Sequence, residues 1–275
     1  MLVNLKDLLP DAAASQYAVP CFNVFGYEDA KAVVEAAEEV GKAVILACNK
    51  DVVDFFGVET AAAMFLQLAR ESSVPVCLHL DHTYEEEIVF RALKAGFSSV
   101  MFDGSQLPLE ENIARTRKVA DVAHALGASV EGEIGSVPYD EGRDHIKSIY
   151  TTPEDAARYA NESGADCVAI SVGNVHRLTE PTCTIDFGLL DQIAHEVSLP
   201  LVIHGSSGIR DEDMQLLKQT RVSKFNIGTC LRQALGHNLR DYMNNEPEKF
   251  DRIYFMKKAM PHVKQEAIRN FQLLS

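Results

Sequence analysis

The sequence predicts an α/β fold, a (β/α)8 TIM barrel forming one domain over residues 1–275, and three observations carry that reading. Eight short apolar runs alternate with longer segments whose apolar residues recur at three- and four-residue spacing, the rhythm of strand followed by amphipathic helix. With 47% hydrophobic residues the chain can bury a substantial core, and barrels of about this length form single domains. No Pro-, Gly- or Ser-rich linker divides it. A doubly wound open sheet is the lesser alternative.

The first strand is expected at Val19–Val24, before a helix over Glu28–Val40 that Gly41 terminates. Strand Ala43–Ala47 precedes helix Val58–Glu71, and strand Val76–Leu80 precedes helix Tyr84–Ala95, closed by Gly96. Strand Ser99–Phe102 leads to helix Leu109–Leu126, with Gly127 just beyond it. Strand Ser129–Glu133 is followed by helix Pro153–Ser163. There Thr152 reads as an N-cap, Pro153 occupies the first turn with Glu154 and Asp155, and Gly164 ends the element. Strands Cys167–Val172, Leu201–His204 and Ser223–Ile227 alternate with helices Phe187–Val197 and Asp211–Thr220, and a longer helical tail follows Thr229.

Composition excludes several function classes. The N-terminal stretch has no apolar run long enough for a signal peptide, and nowhere do apolar residues continue for the roughly 18 needed to cross a bilayer, so a cytoplasmic protein is expected. Of six cysteines, Cys21, Cys48, Cys77 and Cys167 fall inside predicted strands and none has C-x-x-C spacing, which fits free thiols in a reducing compartment. A formal charge of −14 argues against nucleic acid or an anionic membrane as partner. A small anion is still compatible with it, since backbone N–H groups and a bound cation can oppose the global field locally.

Three histidines lie where separate strand patterns run out: His82 in LHLDHT, His176 in AISVGNVH and His204 in LVIHGSSG. A lone histidine after a strand is more often a structural hydrogen-bonding residue. Three of them, at the ends of strands of one parallel barrel, meet at one mouth and form a metal site with an open position. His79, two residues before Asp81, is expected to be a satisfied core group rather than a fourth ligand. Gly205, Ser206 and Ser207 follow the seventh strand, and Asn226-Ile227-Gly228-Thr229 ends the eighth and opens a helix. Small residues, hydroxyls and a helix N-terminus beside a candidate metal ligand predict a phosphate site there.

The segments YAVPCFNV, LHLDH, GFSSVMFDGS, VEGEIG, the histidine after the sixth strand, LVIHGSSG and KFNIGT stand in an order that resembles the class II, zinc-dependent ketose-bisphosphate aldolases of the fructose- and tagatose-bisphosphate type. The likeness continues into the tail PEKFDRIYFMKKAMPHVKQEAIRN. It implies a homodimeric or homotetrameric barrel enzyme that cleaves a ketose phosphate reversibly into dihydroxyacetone phosphate and an aldehyde through an ene-diolate. Zinc is the implied cofactor, with a monovalent cation such as Na+ or K+ allowed for. By the same resemblance His82, His176 and His204 are the zinc ligands and Asp81 the general acid/base. Asp103 and Glu133 are acids near the metal, whose bland reading is that they cap neighbouring backbone. Asn23, Ser207, Asn226 and Thr229 match substrate-binding positions. The chemistry is coherent with the residues: three neutral imidazoles leave a divalent ion its positive charge for the ketone oxygen, and a carboxylate next to a ligand is placed to take the C4 hydroxyl proton.

The chain also departs from the family pattern. Counting on from Glu133 brings the family's second acid/base, on a Gly-Gly-x-Glu loop, to Glu141, with Asp140 as the substitute, but Pro138 and Tyr139 replace the glycine pair and should stiffen the segment. Arg177 follows His176 where the family generally has glycine, and Asn49-Lys50-Asp51 occupies the loop after the second strand. Arg177 offers a bidentate fork and Lys50 a point charge. Together with Asn49 they suggest a sugar phosphate whose distal group differs from that of fructose 1,6-bisphosphate. Two other classes compete: a non-catalytic assembly or stabilising subunit, and a metal-dependent sugar-phosphate epimerase or isomerase.

Overall fold

The computed structural model describes residues 1–140 and 146–275. In chain order the elements are β1 (Leu2–Val3), α1 (Leu5–Ser15), β2 (Val19–Asn23), α2 (Tyr27–Val40), β3 (Val44–Cys48), α3 (Lys50–Phe56), α4 (Val58–Glu71), β4 (Val76–Thr83), α5 (Glu86–Ala95), β5 (Ser99–Phe102) and α6 (Leu109–Ala125). There follow β6 (Ser129–Ile134), α7 (Pro153–Glu162), β7 (Cys167–Ile170), α8 (Phe187–Glu196), β8 (Leu201–Ile203), α9 (Asp211–Leu217), β9 (Val222–Ile227), α10 (Thr229–Asn245) and α11 (Arg252–Leu274). Strands β2 to β9 pair in parallel, each with the next, and β9 returns to pair with β2, so the sheet closes into an eight-stranded (β/α)8 barrel. β1 lies outside that ring, paired with the start of β4.

Closure gives each strand two buried faces. On the outer face, Phe22, Leu46, Leu78, Leu80, Phe102, Val168, Ile203 and Phe225 join the helices in one apolar layer. On the inner face, Val19, Cys21, Ile45, Ala47, Cys77, Cys167, Ala169 and Val202 form a second cluster, sealed at the N-terminal end of the barrel by Leu5, Leu9 and Ala12 of α1. The expected helices are present, with boundaries shifted by a few residues. α1 and α3 are additions. Asn4 caps α1 through a reciprocal pair, its side chain accepting from Asp7 N–H while Asp7 accepts from Asn4 N–H. Asn49 caps the short α3 by accepting from Val52 N–H. β4 extends to Thr83, three residues past its expected end, and β7 stops two residues earlier.

β6 carries two carboxylates inward at Glu131 and Glu133, and the intervening Gly132 faces the helices at close range. A Cβ there would lie 2.0 Å from the Tyr159 hydroxyl, which is buried and bonded to Thr116 Oγ1 at 2.8 Å. Gly132→Ala is therefore expected to lower stability by about 1–3 kcal/mol through overpacking. The midpoint of urea unfolding measures it, and an unchanged midpoint would contradict this packing.

Candidate metal and substrate site

The C-terminal ends of the strands open onto a cleft lined by Asn23, Asn49, Asp81, His82, Tyr139, His176, Arg177, Gly205, Ser206, Ser207, Asn226, Gly228, Thr229 and Arg232. Asp81 and His82 are consecutive, and in a regular strand they would face opposite sides. A bulge resolves the conflict. Leu80 pairs with Val100 and Thr83 with Phe102, so β4 spends two intervening residues where β5 spends one, and His82 takes a φ of +37°. Both side chains then line the same cleft. His204 follows β8 directly, and Gly205 turns the chain with a φ of +66°, at a place where a Cβ would sit 2.5 Å from the Val175 backbone. His176 stands six residues beyond the end of β7, held by its neighbours: its N–H donates to Pro138 C=O at 2.8 Å, Asp140 N–H donates to its C=O at 3.0 Å, and the Tyr139 ring stacks on its imidazole at 4.3 Å.

The three imidazoles converge, each offering a nitrogen within 4.8 Å of the others. His82 Nε2 and His204 Nδ1 are 2.7 Å apart. The remaining nitrogens of these two rings are held by carboxylates, His82 Nδ1 by Asp103 at 2.8 Å and His204 Nε2 by Glu131 at 2.8 Å. His176 Nε2 is buried with no hydrogen-bond partner among the described residues. Such a set, with the outer nitrogens oriented by acids and the inner ones facing each other, fits a zinc-type divalent ion bound by three imidazoles. A second cluster shares His82 with Asp103 and Glu133. Burial and the Asp103 charge push the Glu133 carboxyl well up, while Val137 N–H donates to it at 3.2 Å. Burial also works against ionised Asp103, but the bonds from His82 and Ser105 win and hold it at about 2.

Asp81 accepts from Asn23 Nδ2 at 2.8 Å and from Asn226 Nδ2 at 2.9 Å. Burial would raise its pKa, yet the charges of His82 and its neighbours bring it below the ordinary carboxylate value. Across the cleft, Gly228 and Thr229 at the start of α10 and Ser207 in the turn after β8 offer hydroxyl and backbone donors, whereas the Ser206 hydroxyl already donates to Asn226 C=O at 2.6 Å. Arg177 also has a left-handed backbone, with φ +65°; its guanidinium pairs with Asp51 at 3.0 Å and lies over the Tyr139 ring. Lys50 does not line the cleft. As the first residue of α3 it pairs with Asp54 one turn on, since the Asn49 cap turns the chain into a helix at that point. Glu141 lies outside the described residues.

His79 points into the barrel, with Nδ1 2.8 Å from Ser99 Oγ and Nε2 3.9 Å from Glu131. Sequence reasoning missed four contributors: Glu131, which orients His204; Lys224, fully buried and paired with Glu131 at 2.8 Å; Tyr139, stacked on His176; and Arg232, which lines the cleft beside Phe25. The signal for the first two was present as charged residues alternating with others inside apolar strands, VEGEI and VSKFNI.

The sequence profile of the family described as fructose-bisphosphate aldolase class-II matches residues 3–275. Among solved structures, the YdjI aldolase from Escherichia coli K12 is 30% identical with a TM-score of 0.86, the alignment covering 100% of this chain and 98% of that one. Fructose-bisphosphate aldolase from Campylobacter jejuni is 24% identical with a TM-score of 0.85, covering 99% and 95% of the two chains. A putative fructose-1,6-biphosphate aldolase from Coccidioides immitis gives 24%, 0.85, 98% and 94%. At 24% identity the last two show the shared fold.

The electrostatics generate a pH prediction for metal binding. Burial disfavours charged His82, but the charges of Asp81 and Asp103 outweigh it and raise its pKa to about 9. A ligand imidazole must be neutral, so a metal has to displace that proton. Zinc affinity is expected to rise roughly tenfold per pH unit from pH 7 and to level off above about 9, with about one proton released per ion at pH 7. Chelator-competition titrations and calorimetry in buffers of different ionisation enthalpy check this; affinity flat between pH 7 and 9 would contradict it.

Proposed function

The chain belongs to the class-II fructose-bisphosphate aldolase family, and from that premise we propose that this aldolase-type enzyme is zinc-dependent and cleaves a ketose phosphate or bisphosphate reversibly into dihydroxyacetone phosphate and an aldehyde. The observation that carries the reading is the convergence of His82, His176 and His204 beside a carboxylate, Asp81, in a cleft whose opposite wall is built from Gly, Ser and Thr donors. When bound to the three imidazoles, a divalent ion supplies positive charge to the ketone oxygen, which becomes negative as the C3–C4 bond breaks.

This chain's own residues do the rest. Asp81 takes the proton of the C4 hydroxyl, and the two asparagine amides that donate to it keep it ionised and aimed. Ser207, Thr229 and the backbone N–H groups of Gly205 and Gly228 hold the phosphate, with the N-terminus of the 17-residue α10 adding its dipole. Glu141 is the candidate that returns a proton to the terminal carbon of the dihydroxyacetone phosphate half.

At the far end of the cleft Arg177 supports a substrate whose distal group is anionic and differs from that of fructose 1,6-bisphosphate. Its guanidinium already partners Asp51, so it can exchange one anion for another. A panel of ketose phosphates, bisphosphates and acid-terminated ketose phosphates, read by coupled detection of dihydroxyacetone phosphate, tests both parts of the proposal. Zinc-loaded enzyme is expected to release the triose phosphate, chelation to abolish the release, and Asp81→Ala to lower kcat roughly 10²–10⁴-fold with zinc retained. No triose phosphate from any member would overturn the aldolase reading. Fructose 1,6-bisphosphate as the best substrate would overturn the distal-group part alone.

A further inference from the structure

Beneath the cleft, inside the strand ring, Lys224 and Glu131 form a buried ion pair that the reaction does not touch directly but that reaches groups lining the cleft. Lys224 on β9 is fully buried, and its ammonium reaches across the barrel to Glu131 on β6 at 2.8 Å and up its own strand to Asn226 Oδ1. Glu131 holds His204 Nε2 through its other oxygen. Asn226 Nδ2 in turn donates to Asp81 at 2.9 Å.

The chemistry of these groups sets the orientation of the amide. An ammonium only donates, and an ionised carboxylate only accepts. With Lys224 on one side of the Asn226 amide and Asp81 on the other, only one of its two flips satisfies both; the other sets donor against donor and acceptor against acceptor. Without the ammonium the amide keeps the contact with Asp81 but its oxygen loses the donor that anchors its far side, so it is tethered at one end only.

We propose that Lys224 is a positioning residue for the reaction, acting from the barrel floor to lock the Asn226 amide with its N–H side toward Asp81, while its charge offsets that of Glu131. The Asp81 carboxylate is thereby pointed at the cleft by a residue that never meets substrate. For its kinetic readout, this assignment rests on the aldolase reading above.

The test is a double-variant cycle with zinc-loaded Lys224→Met, Asn226→Ala and the combined variant, on whichever ketose phosphate the wild type cleaves best. Lys224→Met is expected to lower kcat roughly 10- to 100-fold with KM within about threefold and zinc content unchanged, the usual cost of losing an outer partner of a site. In the Asn226→Ala background the same change should add less than about threefold, because the two act as one unit. Asparagine-selective ¹⁵N labelling supplies a readout independent of activity. The Asn226 side-chain amide, assigned by its loss in Asn226→Ala, should be protected from exchange in the wild type and exposed in Lys224→Met. If Lys224→Met does not fold, Glu131→Gln/Lys224→Met, which leaves no unpaired buried charge, is measured in its place. Losses in kcat that multiply across the cycle, an amide signal that ignores Lys224, or failure of both variants to fold would each overturn the assignment. Should the wild type cleave no sugar phosphate, the aldolase reading falls, and the amide signal still decides the role of Lys224.

Discussion

The pairing of β9 with β2, which closes the strands into a ring, is the constraint on which the rest depends. Residues 81–82, 103, 131–133, 176, 204 and 224–226 are remote in the chain and meet only because the ring has no edge. Closure also sets a hard electrostatic problem. Asp81, Asp103, Glu131, Glu133, Lys224 and His204 are all buried within or just above an apolar interior, where an unpaired charge costs several kcal/mol. Almost every one of them is matched: Glu131 bridges Lys224 and His204, Asp103 holds His82, and two asparagines hold Asp81. Two buried atoms without a hydrogen-bond partner among the described residues, His176 Nε2 and Glu133 Oε2, lie where a metal would bind, and His82 Nε2 faces another imidazole there.

A second feature follows from the demand that two adjacent side chains share one cleft. Strand geometry sends Asp81 inward with His79 and would send His82 outward with Leu80. The bulge at the end of β4 inserts one extra residue and puts His82 into a backbone region that non-glycine residues rarely occupy, at a cost of order 1–3 kcal/mol. Arg177, next to another of the three histidines, has a left-handed backbone as well. Strain of this kind persists where surrounding contacts over-determine it, and both places adjoin the imidazole cluster.

The eight barrel strands were legible because a strand buried on both faces leaves a dense apolar signature, as in VILAC or CVAI. β1 was not, since two residues carry no period. α1 was obscured by Pro10 and α3 by its length of seven residues, and neither reads as a helix until the Asn4 and Asn49 caps are recognised. In the site, the histidine trio and Asp81 could be picked out because metal chemistry demands those residue types at strand ends. Lys50 could not be judged, because the orientation of a side chain at a helix start depends on a cap that spacing alone does not reveal. Glu131 and Lys224 escaped for the opposite reason: a charged residue inside a strand pattern looks like an interruption, and only the ring shows that the two interruptions face each other across its interior.

The most direct measurement is an anomalous difference map collected at the zinc edge from crystals of the zinc-loaded protein. The account predicts a single strong peak enclosed by His82 Nε2, His176 Nε2 and His204 Nδ1, with Asp81 at its flank and Asp103 and Glu131 still bonded to the outer ring nitrogens. A peak held by other residues, or no peak at that vertex in crystals with ample zinc, would contradict it.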